Sequence, residues 1–164
     1  MSDVSYERWF GTAGKDPAPV TVADLVRLLR KQSTEEQNRI IVAQVDDMVA
    51  EAHKLFRNYD MHHLPLVSGT KVVGIVSSTD LLEFFSKSQQ EDPSQARLGD
   101  IMTPNPQTMS KETSIRELVK TLARSRFRCL PVVDSDGDLW ALLTTRDLIR
   151  FLELNFDEAP ESKR

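Results

Sequence analysis

The chain has one cysteine, two tryptophans and three histidines among 164 residues, and no long apolar run. The single thiol, Cys129, excludes an internal disulfide, and its place in Cys129-Leu-Pro-Val-Val133 is ordinary for a buried thiol. No stretch approaches the roughly 20 apolar residues of a membrane-spanning helix. Residues 1–20 carry Asp3, Glu7 and Asp16, unlike a secretory signal peptide. Positive charge is also short. The 21 Lys+Arg stand against 25 Asp+Glu, a net charge of −4, which argues against a nucleic-acid-binding surface. Three histidines leave little for a metal centre or a catalytic triad. His62 and His63, being adjacent, would point to opposite sides of an extended chain. Neither a Gly-x-Ser-x-Gly elbow nor a Walker phosphate loop occurs. The expectation is therefore a cytoplasmic protein that is not an enzyme, with no metal, no nucleic acid and no membrane among its partners.

What is present reads as a folded domain built from a duplication. The composition, 40% hydrophobic and 28% charged, matches soluble proteins. A chain of this length can bury roughly 68–70% of its unfolded surface, enough for a core without disulfides or metal. The stretch His63-Leu-Pro-Leu-Val67 recurs as Cys129-Leu-Pro-Val-Val133. Val73-Gly-Ile-Val-Ser-Ser-Thr-Asp-Leu-Leu82 recurs as Trp140-Ala-Leu-Leu-Thr-Thr-Arg-Asp-Leu-Ile149, with order and spacing kept to within one turn residue. Each unit reads as strand, helix, strand, turn, strand, helix, which places the chain in the α/β (α+β) class. Ser114-Ile-Arg-Glu117 has capping-box spacing ahead of an apolar face of Ile115, Leu118, Val119 and Leu122. In the first unit Asp47 is the expected cap for Val49, Ala52 and Phe56. Pro65 and Pro131 are expected at strand starts, and Ile40-Ile-Val-Ala43 as a strand buried on both faces. Thr21, Asp24 and the stripe Val22, Leu25, Val26, Leu29 predict an amphipathic helix. The expected divisions are an N-terminal segment 1–20, a first repeat 21–86, a link 87–96, a second repeat 97–154 and a tail 155–164. Trp9 and Phe10 are candidates to dock on a partner subunit.

Asp100-Ile-Met-Thr-Pro104, the Leu-Pro-Val-Val core, Asp-Gly before a strand and Thr144-Thr-Arg-Asp147 together resemble a cystathionine-β-synthase (CBS) domain. Two in tandem resemble a CBS pair, or Bateman module, and a stand-alone one, since no catalytic domain's worth of residues is left over. The resemblance implies two β-α-β-β-α units packed sheet to sheet about a pseudo-two-fold axis, with two clefts between them. It implies an adenine nucleotide (AMP, ADP or ATP) as regulatory ligand, a client protein that reads it, and a homodimer.

The residues themselves support a nucleotide. Thr144-x-x-Asp147 stands where a strand ends and a helix begins, and free N–H groups with the helix macrodipole favour a phosphate there. The hydroxyls of Thr144 and Thr145 add donors, and Asp147 can accept from ribose hydroxyls. Ser77-x-x-Asp80 repeats the arrangement. An equally physical alternative is that Asp80 and Asp147 only stabilise helix starts, a contribution of about 0.3–1 kcal/mol each. Arg124, Arg126 and Arg128 complement a helix C-terminus. The resemblance also places Arg128, and its counterpart His62, within reach of ligand phosphate. Histidine titrates near neutrality, so the His62 contact is expected to depend on pH. By the same resemblance one adenine slot takes Ile41, Val42 and Met61 facing Asp147, the other Asn105, Gln107 and Phe127 facing Asp80. Those apolar residues would serve equally as core. Ala141, which replaces the glycine found at Gly74, is expected with Trp140 to narrow one cleft. The competing reading is a structural or dimerisation module whose clefts hold nothing. For a ligand site, Asp147→Ala and Arg128→Ala should lower ligand-induced stabilisation and leave the unliganded melt nearly unchanged.

Overall fold

The structure, a computed structural model, describes residues 20–35, 38–59, 61–87 and 95–156. Trp9, Phe10, most of the expected link and the tail beyond 156 lie outside the described residues. In chain order the elements are α1 (Val22–Lys31), β1 (Ala43–Gln44), α2 (Val49–Tyr59), β2 (His63–Ser68), β3 (Lys71–Ser77) and α3 (Ser78–Lys87). There follow α4 (Leu98–Ile101), β4 (Thr103–Pro104), β5 (Met109–Ser110), α5 (Ile115–Arg124), β6 (Cys129–Val133), β7 (Leu139–Thr144) and α6 (Thr145–Phe156).

Local chemistry sets most of the boundaries. Thr21 caps α1 in a complete capping box: its hydroxyl accepts from the Asp24 N–H, and the Asp24 carboxylate accepts from the Thr21 N–H at 3.0 Å. Ser114 caps α5 by accepting from the Glu117 N–H at 3.3 Å. Asp47 does something else. Its carboxylate accepts from the Gln44 N–H at 2.7 Å and so closes the turn after β1, and the Met48 carbonyl receives the first helical bond of α2. Ile115, Leu118 and Leu122 are buried on α5, whereas Val119 sits on the flank of that stripe, 38% exposed.

One sheet has the order β1-β2-β3-β4, the other β5-β6-β7. In each, a short parallel strand leads into a hairpin whose turn holds a glycine at positive φ, Gly69 at +63° and Gly137 at +79°. Both hairpins carry an irregularity at the same place, between Leu66 and Val67 and between Val132 and Val133. Pro65 and Pro131 lie inside β2 and β6 rather than at their starts. Each stands one residue before the parallel strand begins to pair, at Ala43↔Leu66 and Met109↔Val132, so that flank has no ladder bond to lose. The run Ile40–Ala43 is not a buried strand either. Only Ala43 is strand and buried, because the residues before it cross between the two halves.

The two hydrophobic cores do not follow the linear repeats. Ala43, Val49, Phe56, Leu64, Leu66, Val76 and Leu81 form the first core together with Leu98, from the leading segment of the second repeat. Ile115, Leu118, Leu130, Val132, Leu143 and Phe151 form the second together with Val22, Leu25, Val26 and Leu29 of α1, from the first repeat. Matching backbone bonds fasten the exchange. Val22 N donates to Thr113 O at 2.8 Å and Ala23 N to Lys111 O at 2.9 Å; on the other side Leu98 N donates to Asp47 O at 2.8 Å and Gly99 N to Val45 O at 2.9 Å. The hairpin turns also meet, with Leu139 N donating to Thr70 O at 2.9 Å and Lys71 paired with Asp138 at 2.6 Å. That ion pair is solvent-exposed and screened.

Gly99 is held so close that a Cβ there would lie 2.6 Å from Val45 Cγ1. Gly99→Ala is therefore expected to lower stability by about 1–3 kcal/mol in urea unfolding. Val45→Ala added to that variant should recover most of the loss.

Candidate functional site

The two strand–helix junctions have the same geometry. At the end of β3, Asp80 Oδ2 accepts from the Ser77 N–H and the Ser77 hydroxyl, both at 2.7 Å, while the Asp80 N–H donates to Ser77 Oγ at 3.3 Å. At the end of β7, Asp147 Oδ2 accepts from the Thr144 N–H and hydroxyl at 2.7 Å, and its N–H donates to Thr144 Oγ1 at 3.3 Å. The first N–H of each helix is also taken: Ser78 N donates to His62 O at 3.0 Å and Thr145 N to Arg128 O at 3.1 Å. Both carboxylates thus brace helix starts. Each still keeps Oδ1 without a hydrogen bond among the described residues, half-exposed to solvent.

Both junctions open into one cavity of about 1250 Å³. Of the residues expected at the site, Asp80, Asp147, Ser77, Thr144, Thr145, Arg128, His62, Ile41, Met61, Gln107 and Phe127 line it. Val42 and Asn105 do not. Val42 faces solvent just before β1, 40% exposed. Asn105 occupies a left-handed turn (φ +47°) and its N–H donates to Val73 O at 3.0 Å, so the residue closes the edge of β3.

Arginines dominate the lining charge. Besides Arg126 and Arg128 the cavity takes Arg30, Arg39 and Arg146, none of them assigned from sequence. Arg146 stood inside the Thr144-Thr-Arg-Asp147 motif, a signal that could have found it. Arg30 and Arg39 carried none. Arg39, Arg126, Arg128 and Arg146 pair with no carboxylate among the described residues. Arg30 is committed: its guanidinium donates to Trp140 O at 3.0 Å and lies 4.9 Å from the centre of that indole, with Lys111 on the same ring.

That contact corrects the expectation for Trp140, whereas Ala141 does line the cavity. Gly74 has no room for a side chain because Met102 Sδ would lie 2.3 Å from its Cβ. At the equivalent place Ala141 belongs to the second core with Val26 and also lines the cavity, whereas Trp140 turns to Arg30 and Lys111 and does not.

Burial holds the His63 imidazole below the ordinary histidine value; His62 adds to this and Asp80 opposes it. Burial, with a smaller effect of the Asp147 charge, pushes the Cys129 thiol up to about 12, so it is no nucleophile near neutrality. Among the described residues no three His, Cys, Asp or Glu side chains could hold a metal ion, and no helix is long and apolar enough to cross a membrane.

Comparison with known proteins places this geometry. The sequence profile of the CBS domain matches residues 36–87 and 98–154. Inosine-5'-monophosphate dehydrogenase of Korarchaeum cryptofilum is 34% identical over 109 residues, 66% of this chain and 21% of that enzyme. The chain thus spans about a fifth of that relative's length. The crystal structure of CBSX2 in complex with AMP is 30% identical, with a TM-score of 0.66 over 84% of this chain and 98% of that one. CBSX2 is an Arabidopsis thaliana CBS-pair protein. The CBS domain pair of protein MJ0100, solved with 5'-methylthioadenosine and S-adenosyl-L-methionine, is 22% identical with a TM-score of 0.66 over 82% of this chain and 97% of that one, and shows the shared fold.

His63 gives this site a pH signature. Its folded-state pKa lies below the unfolded value, so near and below 6.5 the unfolded chain binds the extra proton more readily. Stability is expected to fall as the pH drops through that window, and His63→Gln should flatten this part of the melting-temperature profile.

Proposed function

The chain belongs to the CBS-domain family, and from that premise we propose that it is a regulatory module binding an adenosine-containing ligand of the AMP, ADP or ATP class. The observation that carries this reading is the pair of equivalent junctions opening into one cavity whose remaining fixed charges are guanidinium groups. The unengaged Oδ1 atoms of Asp80 and Asp147 accept from ribose hydroxyls. Ser77 and Thr144 spend their hydroxyl protons on those carboxylates, so they position the acceptors and do not donate to phosphate. Phosphate falls to Thr145, Arg128 and, in the other half, His62. Ile41, Met61, Gln107 and Phe127 supply apolar walls and an amide for adenine. AMP bound to CBSX2 supports this choice of ligand. A cytoplasmic setting suits both a nucleotide ligand and a lone buried thiol.

Ligand filling the cavity favours one relative arrangement of the two halves by its differential affinity, and a client protein reads that arrangement. A second copy of the chain is the other partner. Leu82 and Phe85 on α3 and their equivalents Ile149 and Leu152 on α6 are 70%, 40%, 66% and 44% exposed. An apolar face duplicated by the pseudo-two-fold axis suits an isologous dimer contact.

Two measurements test these readings. AMP, ADP, ATP, NAD(H) and S-adenosylmethionine are compared by thermal shift. A true ligand at about 100 times its Kd adds about 2.7 kcal/mol, or roughly 5–11 °C at about 2–4 °C per kcal/mol for a chain of this size. Asp147→Asn, which keeps an acceptor for the Thr144 bonds, should reduce the shift. Asp147→Ala should also lower the stability of the unliganded chain, by about 0.5–2 kcal/mol, because it removes the carboxylate side of the capping box formed with Thr144; the expectation of an unchanged melt does not survive that geometry. A panel without any shift removes the ligand reading and leaves the structural module. For the dimer, Leu82→Lys with Ile149→Lys should convert a two-chain particle to one chain in sedimentation. A wild-type chain that sediments as a monomer overturns that assembly.

A further inference from the structure

Building on the ligand reading above, we propose that the two halves of the cavity are unequal. The Asp147 half takes the phosphate-bearing nucleotide; the Asp80 half accepts a phosphorylated ligand only when its histidines are protonated. The carboxylates and hydroxyls match to within 0.1 Å between the halves, so the difference lies in the cations. Where the second half has Arg128, the first has His62, and each is tied to its own helix start through its carbonyl, at 3.1 and 3.0 Å. Where the second has Arg146, the first has Thr79, and in the aligned sequence Asp60 stands opposite Arg126.

Arg39 lies on the crossing from α1 to β1, outside both junctions. It follows Asn38, whose amide donates to the Arg30 carbonyl on α1, the helix of the second core, at 3.1 Å. Among the described residues, the titratable groups at the Asp80 junction are His62, His63 and Asp80, with Tyr59 from the end of α2. An arginine keeps its charge at every accessible pH, whereas a histidine gains one only as the pH falls through about 8 to 5. Above neutrality, among the described residues, the segments that form the Asp80 junction therefore offer a carboxylate and no fixed cation of their own. A polyphosphate is repelled there and drawn to the Arg128 side. The half-buried position of His63 sharpens the contrast by opposing its protonation.

Isothermal titration of ATP into the full chain, at about pH 8 and about pH 5.5, tests this. The expected result is one ATP per chain at the higher pH and a second at the lower. His62→Arg should create the second site at about pH 8, and Arg128→His should weaken ATP there at least about tenfold. Both exchanges are at exposed positions, and a melt of each variant without nucleotide reports its folding. Two equivalent ATP molecules per wild-type chain at the higher pH, or a single site unmoved by both exchanges, overturns the inequality and leaves the ligand reading standing. Silence from AMP, ADP and ATP at both pH values removes the ligand reading and this inference together.

Discussion

Neither half of this molecule can complete its core from its own repeat. The second core needs Val22, Leu25, Val26 and Leu29, which precede the first repeat's strands, and the first needs Leu98, which precedes the second's. Large buried residues of this kind cost about 2–5 kcal/mol each when truncated, so neither repeat is a sound folding unit once its partner is removed. The exchange also dictates where the chain must travel. After α1 it crosses from the second core to β1, and after α4 it crosses from the first core to β5. Both crossings pass along the cavity, where Thr34, Asn38, Ile41, Thr103 and Gln107 line its wall. The cavity is a product of the exchange.

A single carboxylate at each junction uses one oxygen and leaves the other over. Oδ2 of Asp80 and of Asp147 fastens strand to helix, and Oδ1 is left pointing to no described partner. Bracing a helix start therefore leaves each residue an acceptor to spare, because a carboxylate has two oxygens. The fixed capping geometry holds the second oxygen in place before any ligand arrives, and an acceptor that loses little freedom on binding is a better acceptor.

The duplication, the hairpins, the helix faces and the junction carboxylates were legible because each rests on local pattern: period, cap and turn chemistry. What stayed hidden depends on the partner of each segment. Periodicity marks Val22, Leu25, Val26 and Leu29 as one buried stripe yet says nothing of which core receives it. Ile40 to Ala43 read as a buried strand because an apolar run carries no sign of whether it is crossing between cores. Asn105 and Val42 were placed in adenine slots by analogy, while the first is spent on a left-handed turn and the second faces water. Arg39 gained its place only through the path of the crossing, which no spacing rule encodes.

The crossings also break the symmetry that the duplication would otherwise impose. In the first half, the segment after α4 turns extended, and Asn105 N and strand β4 close the edge of β3 at Val73, Gly74 and Ile75. In the second half, α1 simply continues for another two turns. Among the described residues no strand covers the matching edge of β7, and the Arg30 guanidinium supplies the hydrogen bond to Trp140 O that Asn105 supplies to Val73 O. One half thus spends backbone where the other spends a cation and a long helix. Two duplicated units that shared every contact would present two equal faces to a ligand. Because their leading segments solve the same edge problem differently, the residues lining the cavity differ on its two sides, and the site can bind asymmetrically while the cores remain alike.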